Sequence, residues 1–177
     1  EALCTLGNGN FATRGAAPET SADAIHYPAT YLAGGFNRLE TEIAGRVIEN
    51  EDLVNMPNWL PLSFRPMGGE WLNLQRDTVS DYRQELDLRQ GMLSRRFRVE
   101  DRAGRVTFFE SRRIVHMHRP HLAAIEMTIR PENWSGELKI MSGLDGSVVN
   151  SGVARYSQLN SKHLRTLEAR PFGEDGI

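Results

Sequence analysis

The chain has 177 residues, 40% of them hydrophobic and 25% charged, with a formal net charge of -2. That length suits one domain with a sizeable core. Near-balanced charge removes the electrostatic basis for nucleic-acid or anionic-membrane binding, and no apolar run is long enough to cross a bilayer.

The chain opens on Glu1 rather than Met, so a trimmed or processed piece of a longer protein is expected, and no signal peptide is visible. Cys4 is the single cysteine and cannot form an internal disulfide. It suits a reducing, cytoplasmic compartment and reads as a small buried apolar residue. Residues 7–24 read as a long loop. Short strands are expected over 27–36, 60–64, 70–74 and 82–88, with punctuators such as Met56-Pro57-Asn58 and Met67-Gly68-Gly69 between them.

The second half is more regular. Leu93, Arg95, Phe97 and Val99 alternate with Ser94, Arg96, Arg98 and Glu100, then Asp101-Arg102-Ala103-Gly104 supplies a turn. With a long strand over 105–118 this predicts a β-hairpin. Ala123, Ile125, Met127 and Ile129 mark one face of the next strand, and further strands are expected at 137–142 and 147–156. No stretch carries a capped 3.6-residue apolar stripe. Many short strands with turns between them predict an all-β sandwich or barrel, and charges on one strand face predict an antiparallel sheet with one wet side.

Several residues could carry chemistry. His116 and His118 would share a strand face with His121 close by, but no Asp, Glu or Cys completes a metal set and Arg119-Pro120 breaks the strand. Glu85 with Asp87, and Glu40 with Glu42, are spaced about 6.5–7 Å apart on a strand, within the separation an inverting acid and base require. Arg83 and Arg89 favour surface ion pairs there instead. The pairs Arg95-Arg96 and Arg112-Arg113 split between opposite sheet faces, so they build no polyanion groove. Gly7-Asn8-Gly9, Gly34-Gly35, Gly68-Gly69 and Gly143-Leu144-Asp145-Gly146 fit turns that need positive φ, not a nucleotide fingerprint. Trp59, Trp71 and Trp134 could contact carbohydrate through their indole faces, or pack in the core. Asn133-Trp134-Ser135 fits a glycosylation sequon, a chance match in a chain with no secretory signal. No catalytic, cofactor-binding or metal-binding residue is assigned.

A set of blocks occurs in a fixed order: Leu6-Gly7-Asn8-Gly9-Asn10-Phe11-Ala12-Thr13-Arg14-Gly15, His26-Tyr27-Pro28-Ala29-Thr30-Tyr31-Leu32-Ala33-Gly34-Gly35-Phe36-Asn37, Glu51-Asp52-Leu53-Val54-Asn55-Met56-Pro57-Asn58-Trp59-Leu60-Pro61-Leu62, Tyr82-Arg83-Gln84-Glu85-Leu86-Asp87-Leu88-Arg89-Gln90-Gly91, Glu132-Asn133-Trp134-Ser135-Gly136, Ser142-Gly143-Leu144-Asp145-Gly146 and Asn150-Ser151-Gly152-Val153-Ala154-Arg155-Tyr156. Together they resemble the N-terminal domain of glycoside hydrolase family 65, which includes trehalose, maltose and kojibiose phosphorylases and trehalose hydrolases. The block from Leu53 to Leu62 is most similar to the trehalose branch. Asn10, Ala29 and Phe36 depart from the tyrosine, glycine and tyrosine common in the family, which bears on substrate choice.

The resemblance implies a large antiparallel super-sandwich of the galactose-mutarotase type, here incomplete, spanning 1–177 as one N-terminal domain. It also implies a downstream (α/α)6 barrel that carries catalysis on an α-linked glucose disaccharide by inversion, with inorganic phosphate as co-substrate in a phosphorylase, or water activated by a second carboxylate in a hydrolase, and no cofactor. This chain alone is then expected to be inactive, to support the active-site mouth and to form a homodimer. A carbohydrate-binding module or a pure dimerisation domain stays open beside that reading.

Overall fold

The computed structural model describes residues 1–151 and 157–168. After a 3-10 turn at Ala2–Cys4 come β1 (Leu6–Gly7), β2 (Phe11–Thr13), β3 (Thr30–Leu32), β4 (Phe36–Ile43), β5 (Arg46–Leu53) and β6 (Leu62–Pro66). There follow β7 (Thr78–Asp87), β8 (Met92–Glu100), β9 (Val106–Val115), β10 (Ala123–Pro131) and β11 (Leu138–Ser142). All pairings are antiparallel. The sheets are β10-β9-β8-β7, β1-β2-β3, β11-β6 and the hairpin β4-β5. The chain is an all-β sandwich, and no helix among the described residues is long and apolar enough to cross a membrane.

The main sheet owes its position to alternation. Leu93, Phe97 and Val99 of β8 and Phe109 and Val115 of β9 are buried, while Arg96 and Arg112 point to water. Phe97 stands opposite Phe109 in the ladder, with ring centroids 4.7 Å apart. From the facing layer β6 brings Phe64 within 6.2 Å of Phe109, and Leu72 and Leu138 close the same cluster. At the other end Leu6 of β1 packs on Leu93 and Val115, with Cys4 and Phe11 at its edge. A fully buried side chain of this size contributes about 1.5–3 kcal/mol, so this seam holds the two layers together. The outer face carries an ion-pair lattice: Arg98 bonds Asp81 (2.5 Å) and Glu132 (2.9 Å), and Arg112 reaches Glu110 and Glu126.

Two inward positions of the same strands hold arginine. Arg95 forms a two-pronged pair with Glu19, and both side chains are almost wholly buried. Arg113 donates to the carbonyls of Arg14 (3.0 Å) and Ala16 (2.7 Å). Burial and the neighbouring Arg95 charge bring its pKa down to about 10. The guanidinium of Arg95 lies over the rings of Phe97 (5.0 Å) and Phe109 (5.6 Å), a cation–π stack that offsets part of its desolvation. Residues 14–19 are thus fastened onto the inner face of the sheet. Gly15 is required there, since a Cβ would sit 2.6 Å from that of Cys4.

Several strand expectations change. Residues 27–36 are not one strand: Thr30–Leu32 pairs as β3, a turn follows at Gly34 (φ 78°), and Phe36 opens β4. Residues 70–74 and 147–151 are not strand, and 152–156 of the last expected strand lie outside the described residues. The loop expected over 7–24 contains β2. The strand expected over 105–118 ends at Val115, leaving His116 and His118 in the turn that follows. The β4-β5 hairpin is a feature that alternation does not announce. It turns through Ala44 and Gly45, both at positive φ (50° and 74°), as a two-residue hairpin turn demands. Most of its residues are exposed on both strands. Residues 160–163 brace one face: Asn160 N–H donates to Thr41 Oγ1 (2.7 Å), and His163 Nε2 lies 3.3 Å from Asp52 Oδ2.

Candidate functional site

The sequence blocks converge on a junction of asparagines. Asn55, only 2% exposed, accepts from Thr30 N–H (3.1 Å) and donates to the carbonyls of Val149 (3.1 Å) and Pro28 (3.5 Å). Its own N–H donates to Asn150 Oδ1 (2.8 Å), and Asn150 Nδ2 donates to Leu53 C=O (2.8 Å). Asn58 forms a two-way bridge with Asp145, and its side chain accepts from Leu60 N–H (3.1 Å). Three loops far apart in sequence are tied by carboxamides, which offer donor and acceptor at once without a charge to desolvate. Asn55→Ala is expected to cost about 2–3 kcal/mol, because several backbone groups lose their partners in a buried place. A urea midpoint within error of the unsubstituted chain would refute this.

Beside the junction, Tyr27 and Tyr31 share a hydroxyl contact of 3.1 Å, and Ser151 N–H donates to Tyr27 Oη (3.2 Å). Burial, then the bond to Tyr27, pushes the Tyr31 phenol above its ordinary range. Arg14 lies 5.1 Å above the Tyr27 ring and donates to Tyr27 C=O (2.9 Å).

The three tryptophans have separate surroundings. Trp134 donates to Thr107 Oγ1 (3.0 Å) and has Arg105 over its ring. Trp71 is capped by Arg65 at 4.9 Å. Trp59 packs obliquely on Phe11 at 6.2 Å, and its buried indole N–H has no acceptor among the described residues. No ring contact joins any two of them among the described residues.

The histidines serve a turn. His116 Nδ1 accepts from the N–H groups of His118 (3.1 Å) and Arg119 (3.0 Å), while Asn8 Nδ2 donates to the carbonyls of His116 and Pro120. No group of three or more His, Cys, Asp or Glu side chains able to hold a metal occurs among the described residues. Glu85 is taken by Arg83 (2.6 Å) and Asp87 caps the N–H groups of Arg89 and Gln90 at the β7–β8 turn. Glu40 and Glu42 stand on the exposed hairpin. The carboxyls with displaced titration are all lowered: Asp23 by N–H groups of His26 and Ile25, Glu132 by Arg98. For Asp101, burial pushes upward but the bonds from Arg105 and Ala103 outweigh it. These three are fixed as anions, the reverse of what a general acid needs. In the sequon, Asn133 accepts from Val106 N–H and donates to Gly104 C=O. Glycines 9, 34 and 68 take positive φ as their turns require.

A shallow dish of about 510 Å³ lies on the outer sheet face, bounded by Asp81, Tyr82, Arg83, Arg96, Arg98 and Phe108. Phe108 lies between the guanidiniums of Arg98 and Arg130. Sequence reading places these arginines outward. It misses the inward bond of Arg95 to Glu19 and the structural use of Asn55 and Asn150, for which the asparagine-rich block is the only signal.

Residues 1–176 match the family model described as "Glycosyl hydrolase family 65, N-terminal domain". An uncharacterized glycosyl hydrolase of Mycobacterium tuberculosis is 48% identical over 168 residues, which covers 95% of this chain and 13% of that protein. Kojibiose phosphorylase of Caldanaerobacter subterraneus is 33% identical over 177 residues, 100% of this chain and 21% of that protein. Trehalose 6-phosphate phosphorylase of Lactococcus lactis is 31% identical, covering 92% and 20% respectively. A solved structure of a candidate kojibiose phosphorylase from the human microbiome superposes with a TM-score of 0.73 at 22% identity, over 84% of this chain and 20% of that one. The chain therefore spans about a fifth or less of the length of these relatives.

Proposed function

The chain belongs to glycosyl hydrolase family 65, as its N-terminal domain, and from that membership we propose that it serves a disaccharide phosphorylase as a non-catalytic β domain. The carrying observation is where its polar motif side chains go. Asn55, Asn58, Asn150, His116 and Asn133 all bond backbone of this same domain, so they hold loops in shape.

In this reading a downstream (α/α)6 barrel protonates the bridging oxygen of an α-linked glucose disaccharide while inorganic phosphate attacks the anomeric carbon. Phosphate brings its own negative charge and needs no second carboxylate. The β domain supports the mouth of that site. Kojibiose and trehalose 6-phosphate, named for relatives, support an α-linked glucose disaccharide as the substrate class, and residues 53–62 lean toward a trehalose type. A cytoplasmic setting goes with the lone Cys4. A carbohydrate contact is a second reading, favoured at Trp59 by an indole N–H that has no acceptor among the described residues.

The test incubates the purified chain with kojibiose, trehalose or trehalose 6-phosphate, with and without phosphate. No glucose or glucose 1-phosphate above a blank is expected. Product release that grows with protein concentration would overturn the reading.

A further inference from the structure

Two buried arginines line one small hollow on the inner face of the main sheet. Arg95 of β8 stands opposite Ser111 of β9, and Arg113 stands opposite Leu93, one inward place along. Both arginines are 5% exposed and Ser111 is 7% exposed. With Gln84 and the covering residues 15–18 they line a space of about 10 Å³. That is room for one water-sized body and too little for phosphate or a carboxylate.

The terminal nitrogens of both side chains are occupied. Arg95 Nη1 and Nη2 donate to the two oxygens of Glu19, and Arg113 Nη1 and Nη2 donate to Arg14 C=O and Ala16 C=O. The Nε–H of each arginine is buried and has no acceptor among the described residues. A buried charged donor without an acceptor is costly, and here two such side chains border one hollow. Charge points the same way. Burial and the Arg95 charge both disfavour the Arg113 cation, while Glu19 and Glu1 favour it. Arg14 lies beside them, bonded to the carbonyl of Tyr27. Arg14, Arg95 and Arg113 thus stand against Glu1 and Glu19, which leaves one positive charge over.

We propose that this hollow binds a single chloride-sized monovalent anion, held by the Nε–H groups of Arg95 and Arg113 and by the hydroxyl of Ser111. Charge-assisted bonds of this kind are roughly twice as strong as neutral ones. A one-atom ligand fits the space and balances the surplus charge, whereas water would satisfy the donors and leave the charge standing. Glu19 grips Arg95 end-on, so the Nε edge is kept for the hollow, and a chain without that grip loses the site. The bound anion clamps residues 14–19 to β8 and β9.

The experiment exchanges gluconate for chloride at constant ionic strength and follows thermal unfolding of the chain by circular dichroism. Past the dissociation constant, each tenfold rise in chloride should lift the Tm by about 3–5 °C, as expected of a ligand bound by the folded chain alone. Bromide should act likewise and, in crystals grown with it, give an anomalous peak in contact with both Nε atoms. Ser111→Ala removes one donor at little risk to the fold, and the chloride needed for half the effect should rise about fivefold or more. Arg113→Met should abolish the response. Arg96→Ala, exposed on the outer face, should leave it unchanged. Tm values that coincide in chloride and gluconate would mean that water serves both donors. An undiminished response in Ser111→Ala or Arg113→Met would put the anion elsewhere. Either result overturns the proposal.

Discussion

Replacing Glu19 with glutamine is expected to remove about 3–5 kcal/mol of stability, the usual result of stripping one partner from a buried ion pair. Among the described residues Glu19 is the only carboxylate that bonds the Arg95 guanidinium, and both are almost wholly buried. Arg113 lies close by with a charge that its carbonyl partners do not neutralise. Without Glu19, the two guanidiniums repel across the inner sheet face, with Glu1 as the remaining carboxylate acting on Arg113. The lowered pKa of Arg113 already registers burial and that repulsion. Buried charges are poorly screened, so added salt should recover little. Glu19→Leu with Arg95→Met should recover most of the loss, because an apolar pair of similar volume avoids the desolvation altogether. Urea unfolding followed by circular dichroism measures all three proteins. A single-variant loss under about 1 kcal/mol would mean that water reaches the pair and that residues 14–19 are not fastened by it.

How far the fold could be read from sequence follows from where one face is buried. β8, β9 and β10 each turn one side to the core, so apolar and polar residues alternate and the hairpin and its neighbour are legible. β4 and β5 have little core to face, and Leu39, Thr41 and Ile43 alternate with Glu40 and Glu42 too weakly to stand out beside Arg38 and Val47. Only Ala44-Gly45 hints at the turn. Arg95 and Arg113 sit at inward positions by parity, yet their chemistry argues for water. The bond that reverses the argument comes from Glu19, 76 residues away in a stretch without periodicity. The asparagine-rich block is visible as a resemblance, but its purpose depends on residues near 150 and is invisible to any local pattern.

Phe97→Ala is expected to cost about 3–5 kcal/mol, the range for emptying a buried aromatic site. The side chain has 0% exposure. Its ring stacks on Phe109 at 4.7 Å and on Tyr82 at 5.9 Å, and Arg95 rests on its face. Truncation therefore opens a cavity and also takes away part of the aromatic surface that shields the guanidinium. The second effect separates this site from an ordinary hydrophobic one. Phe97→Leu keeps most of the volume but loses the π face, so it should still cost more than about 1.5 kcal/mol, beyond what a volume-conserving apolar exchange usually costs. In a Glu19→Leu, Arg95→Met background the excess should vanish, because no cation remains to be stacked. Equal losses for Phe97→Leu with and without the charged pair would show that the ring acts by packing alone.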